Sequence, residues 1–127
     1  MEKIRSHKEL KVYQEAYQAA LRIHHLTQSF PTEEKHALTN QIRRSSRSVC
    51  ANLAEAWRKR RYPKNFISKL SDSEAEAAET QVWLDFSYSF KYINEAIHDE
   101  LYDQFEHIIA MLIKMSQNSE KWTPKQQ

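Results

Sequence analysis

No glycine occurs anywhere in the 127 residues, and the only prolines are Pro31, Pro63 and Pro124. Two-residue hairpin turns and glycine-rich phosphate loops both need residues with easy access to positive φ, so neither can be built from this chain. An all-helical protein is what remains. Cysteine is nearly absent as well: Cys50 stands alone, which excludes an internal disulfide and fits a reducing cytoplasm. The sequence has no run of about 18 apolar residues and no secretory pattern, so no membrane partner is expected. Net charge is only +2, yet its distribution is uneven. Between Arg43 and Lys64, eight Lys or Arg stand against Glu55 alone, a local balance of +7, whereas Asn65 to Glu106 sets ten acids against Lys69 and Lys91, a balance of −8. Such a split implies a directional field.

A chain of this length fits one domain that buries roughly two thirds of its unfolded surface. Apolar periodicity and breakers predict four helices over about 8–29, 33–60, 64–93 and 98–119, with a frayed tail over about 123–127. The first helix places Leu10, Tyr13, Ala16, Tyr17, Ala20, Leu21 and His24 on its apolar face. Phe30-Pro31 stops it, and Thr32 is positioned to cap a second helix with an acidic first turn. That helix carries Leu38, Ile42, Ser45, Val49, Leu53 and Ala56 on one arc, the spacing of a buried stripe. Pro63 suits the first turn of the third helix, whose row from Phe66 to Tyr88 is widened by a second row of Ile67, Ala78, Val82, Phe86, Ser89 and Ile93. Asn94 is the best breaker before the fourth, which repeats Leu101, Phe105, Ile108, Leu112 and Met115 at a/d spacing. Short connections favour antiparallel neighbours, hence an up-down-up-down antiparallel four-helix bundle. Trp57, Trp83, Phe86 and Tyr88 are expected to leave aromatic surface for self-association.

The strongest candidate site is the basic set Arg43, Arg44, Arg47, Arg58, Lys59, Arg60, Arg61 and Lys64, because backbone phosphates are best held by several cations on a rigid element. Arg43, Arg47, Arg58 and Arg61 share one arc with only alanines between them. The competing reading is a solvated face paired with the acids of the third helix, and the Arg58 to Arg61 run also complements the negative end of its own helix. No base-reading motif accompanies the cluster, so RNA or DNA would be held by backbone or shape. Ser48, Asn52 and Glu55 on the second helix and Ser73, Glu76 and Thr80 on the third form rows expected to satisfy one another in a structural polar network. Glu33-x-x-His36 has the spacing of a di-iron ligand pair, but the second pair and the additional inward glutamates are missing, so no metal or other cofactor is expected. Cys50 and the scattered histidines make no nucleophilic arrangement, and no catalytic residue is assigned.

Two words carry a resemblance: FPTEEKHALTNQIRRSSRSVCANLAEAW (Phe30 to Trp57) and ETQVWLDFSYSFKYI (Glu79 to Ile93). They resemble the bacterial four-helix-bundle family of 23S rRNA intervening-sequence proteins. The family pattern F-P-x-x-E, L-x-x-Q-x-R-R, S-x-x-x-N-x-A-E-G and E-T-Q-x-W-L is met here by Phe30, Pro31, Glu34, Leu38, Gln41, Arg43, Arg44, Ser48, Asn52, Ala54, Glu55, Glu79, Thr80, Gln81, Trp83 and Leu84. Ala56 departs from it where the family has glycine, which should let the second helix continue. The resemblance extends from Leu10 to Met115. It implies a barrel-shaped homopentamer with a basic surface that engages nucleic acid and no known catalytic residue. Relatives are similar to reading frames within inserts of large-subunit rRNA genes, and a related branch is accessory to the reverse transcriptase of diversity-generating retroelements. The expectation is therefore a noncatalytic, cytoplasmic, oligomeric accessory protein that binds RNA or DNA. The alternative is a protein-only scaffold ring that docks a polymerase or reverse transcriptase.

Overall fold

A computed structural model describes residues 3–123. Four helices account for most of them: α1, Lys11–Thr27; α2, Leu38–Arg58; α3, Pro63–Ser89; and α4, Glu95–Gln117. Each packs against two neighbours in the cyclic order α1, α2, α3, α4, which is an up-down-up-down antiparallel four-helix bundle. Three short 3-10 turns, His7–Glu9, Thr32–Glu34 and Ser119–Lys121, sit at the connections and ends.

The stripe on α2 is buried throughout, from Leu38 through Ile42, Ser45, Val49 and Leu53 to Ala56. It meets Phe66, Leu70, Ala77 and Leu84 of α3 and Leu101, Phe105, Ile108 and Leu112 of α4 in one core. On α1 the buried face is Val12, Ala16, Ala19, Ile23 and Thr27. That is one residue away from the row the sequence predicts, so Tyr13, Ala20 and His24 are only half-buried and Tyr17 and Leu21 are exposed. Valine and isoleucine at Val12 and Ile23 win the core because two tyrosines and a histidine would each bring a polar group needing a partner. The widening row on α3 likewise stays outside: Ile67, Val82 and Phe86 are exposed, and only Ile93 is buried.

Several boundaries differ from expectation for local reasons. Helix two does not begin near 33; Thr32 opens a 3-10 turn without capping anything, and α2 starts at Leu38, whose amide donates to Glu34 Oε1 at 3.3 Å. It ends at Arg58, short of 60. Helix three ends at Ser89, short of 93, through a turn in which Tyr92 N–H donates to Ser87 O and Lys91 N–H to Tyr88 O. That is a Schellman arrangement, with Lys91 at φ 65° in the left-handed position where glycine is usual. Asn94 then caps α4, its Oδ1 accepting from Ile97 N–H at 2.8 Å, so α4 starts at Glu95 and not near 98. The first helix starts at Lys11 after a 3-10 turn capped by the Ser6 hydroxyl, not near 8, and stops at Thr27, not 29. Of the tail expected to fray, residues 124–127 lie outside the described residues. Trp57 is not spare surface: it is buried, with Trp122 edge-on at 6.3 Å and the Arg60 guanidinium 3.9 Å from its ring centroid.

Candidate nucleic-acid interface

Four of the eight basic residues, Arg43, Arg44, Arg47 and Arg58, lie on α2, and Lys59, Arg60, Arg61 and Lys64 follow across its end into α3; two of the eight are braces, one is ion-paired and five are free of carboxylates among the described residues. Arg43 is a brace: its Nε donates to Thr27 Oγ1 at 2.8 Å and one terminal nitrogen donates to His24 O at 3.3 Å, tying α2 to the last turn of α1. Thr27 itself is buried and donates back to Ile23 O at 2.7 Å. Arg60 is another brace, donating to Trp57 O at 2.7 Å and so satisfying a carbonyl at the end of α2. Arg44 alone follows the competing reading, with Glu76 and Glu79 of α3 each 3.7 Å away. Those distances are ion pairs without hydrogen bonds, and Arg44 stays exposed. Arg47, Arg58, Lys59, Arg61 and Lys64 are exposed and have no carboxylate partner among the described residues. Arg61 lies 5.7 Å from the centroid of the Tyr62 ring.

Arg47 and Arg58 are eleven positions apart, which is about 16 Å of helix and just over three whole turns, so they project from one face. Arg47 also meets α1, its terminal nitrogen 3.1 Å from His24 Nδ1. Burial, then the charges of Arg43 and Arg47 and neighbouring His25, push the His24 imidazole below the ordinary histidine value, which suits a neutral ring accepting from Arg47. The first half of the row fronts a groove of about 590 Å³ whose walls include Lys35, His36, Thr39, Arg43, Arg44 and Arg47 and, among the described residues, no acid. Thr39 is buried, and its hydroxyl has no hydrogen-bond partner among the described residues. Lys35 and His36 are not part of the basic set that the sequence singles out. They fall in the turn before α2, where the sequence predicts a helix already under way from about 33.

The expected polar rows meet only in part. Ser45 and Thr80 hydroxyls are 2.8 Å apart in the core, Thr80 also donates to Glu76 O, and Ser73 donates to Val49 O at 2.8 Å. Asn52 and Glu55 lie further out and share Lys69 of α3, at 3.4 and 3.6 Å. Ser48 does not join them: its carbonyl accepts from Asn52 Nδ2, and its side faces the basic groove. Ser45 and Ser48 are three positions apart, which sets them about 60° from each other around the helix, enough to give the seam to Ser45 and exclude Ser48.

Among the described residues, no group of three or more His, Cys, Asp or Glu is placed to hold a metal ion, and Glu33 and His36 are both exposed. No described helix is long and apolar enough to cross a membrane. The Cys50 thiol, half-buried, is pushed up to about 11 by burial.

With four helices in this order and the basic row on α2, the model of the 23S rRNA-intervening sequence protein family matches residues 8–114. The chain belongs to that family. A solved relative with the same fold is a protein of unknown function from the S23 ribosomal protein family of Bacteroides thetaiotaomicron, 29% identical, with a TM-score of 0.76. The match covers 84% of this chain and 95% of the other. No curated protein matches. In this member of the intervening-sequence protein family, Ala56 is buried within α2, and the helix runs on for two further residues to Arg58.

Proposed function

We propose that this protein is a noncatalytic cytoplasmic accessory factor that assembles as a ring of identical subunits and holds RNA or DNA by its phosphate backbone on the α2 face. One observation carries the reading. Of the eight basic side chains from Arg43 to Lys64, Arg44 alone has a carboxylate within ion-pair distance among the described residues, and the groove lined by Arg43, Arg44 and Arg47 has no acid among its described wall residues. Unneutralised cations fixed on a rigid helix release counterions when phosphates replace water, which favours backbone binding at low salt. Self-assembly would repeat this site around the ring and raise its avidity. Its support is a strip along the end of α3 where Val82, Phe86 and the following Phe90 are exposed beside Trp83, whose indole N–H is buried without an acceptor among the described residues.

Filter binding of a structured RNA at about 50 and 200 mM salt tests the reading, with a steep loss of affinity expected at the higher concentration. Arg43 is a poor site for mutation because it braces α1. The variant Arg47→Gln/Arg58→Gln/Arg61→Gln should keep its circular dichroism, bind weakly, and show a log–log salt slope shallower by about 2 to 3. Undiminished binding by this variant would assign the α2 face another purpose. A wild-type protein that binds neither RNA nor DNA would leave the scaffold that docks a polymerase or reverse transcriptase.

A further inference from the structure

Beside the basic groove lies a second one of about 520 Å³, between α1 and α2. Its walls include Tyr13, Tyr17, Leu21, His24 and Cys50, together with Arg47 and Ala51, which also line the first groove. The two are therefore one open trough, cationic at the start of α2 and aromatic further along. Among the described residues, neither half has an acidic wall residue. Tyr13 and Tyr17 stack with ring centroids 6.0 Å apart and planes at 27°, and His7 meets Tyr13 edge-on at 4.8 Å. Tyr17 is 47% exposed and Leu21 is 40% exposed.

Building on the backbone-binding reading above, we propose that this trough takes single-stranded nucleic acid, with phosphates against Arg47 and its basic neighbours and a base on Tyr17. A duplex hides its base faces and would leave Tyr17 and Leu21 uncovered, whereas a single strand offers alternating anionic and flat apolar surfaces at the same scale. Stacking on an open aromatic face is also sequence-tolerant, consistent with a sequence in which no base-reading motif accompanies the basic cluster. An acidic peptide would match the charge but anchors through side chains set in enclosed pockets, and this trough is open.

Fluorescence anisotropy with a labelled single-stranded homopolymer of about 12 nucleotides, alongside a duplex of equal length, tests the proposal. Tyr17→Ala should weaken single-strand binding about tenfold and leave duplex binding unchanged, while Tyr17→Phe keeps both. Tyr17 lies outside the core, and an unchanged melting curve verifies that the variants fold. Equal binding of the single strand by Tyr17→Ala and wild type overturns the proposal. So does displacement of the strand by polyglutamate that Tyr17→Ala abolishes, which would give the trough to an acidic peptide. Loss of duplex and single-strand binding in wild type defeats the backbone reading itself; duplex binding with an inert Tyr17 defeats only this inference.

Discussion

Lys91 occupies the one left-handed position among the described residues, because a chain without glycine still has to turn between α3 and α4. A side chain with a Cβ costs about 1 kcal/mol or more in that conformation, and the Schellman hydrogen bonds hold it there. Lys91→Gly should accordingly raise stability by roughly 1 kcal/mol, less the greater chain entropy of the unfolded glycine variant, measured by urea denaturation. A drop in stability would mean that the turn is not under this constraint. At the same scale the sequence shows its limits. Arg43 reads as one cation in a row, since nothing local reveals that Thr27 and the His24 carbonyl will lie across from it. Arg60 could be read from its position near a helix end, but not its stacking on Trp57. Lys35 and His36 became legible only once Pro31 had produced a 3-10 turn in place of continuous helix.

Elements, by contrast, are largely legible, because apolar spacing is a property summed over many residues. The α2 and α4 stripes are buried as the spacing predicts. On α1 the buried face lies one position away from the row that the spacing predicts, because the hydroxyls of Tyr13 and Tyr17 favour the rim over the core. The junction of α3 and α4 is held by His98, which packs between Tyr88 and Tyr102 and bonds Asp85 at 2.7 Å and Asp99 at 2.9 Å. Burial alone would lower this imidazole, but the hydrogen bonds and charges of Asp85 and Asp99 outweigh it and leave it raised above the ordinary histidine value. A histidine raised on folding contributes stability that is complete below the unfolded value and fades as pH climbs through the folded one. Thermal unfolding of wild type should therefore show a decline in midpoint from about pH 6.5 upward that His98→Gln lacks. Identical pH profiles for the two proteins would show that the clasp is not ionised.

For the whole molecule, the separation of charge visible in the sequence leads to an incomplete cancellation in space. Arg22 pairs with Glu100, Arg44 with Glu76 and Glu79, and Lys69 with Glu55 and Asp72, yet Arg47, Arg58, Lys59, Arg61 and Lys64 keep no carboxylate partner among the described residues. Each of these contacts has at least one exposed partner and is individually weak, so they orient charge more than they stabilise the bundle. Apolar surface is similarly left over along the end of α3, though from Val82, Phe86 and the following Phe90 and not from Trp57. If that strip joins subunits, Phe86→Lys/Phe90→Lys should lower the mass seen by light scattering to that of a single chain while helicity persists, because two desolvated charges cannot be accommodated in an apolar contact. An unaltered mass would place the subunit contact elsewhere. The brace at Arg43 has its own effect on how any anion would be received. Its planar fork is fastened at two nitrogens before a ligand arrives, so little rotamer freedom remains to be lost on contact. Where the flexible lysines at either end of the α2 row must be gathered in, this wall of the groove is a socket already set in shape.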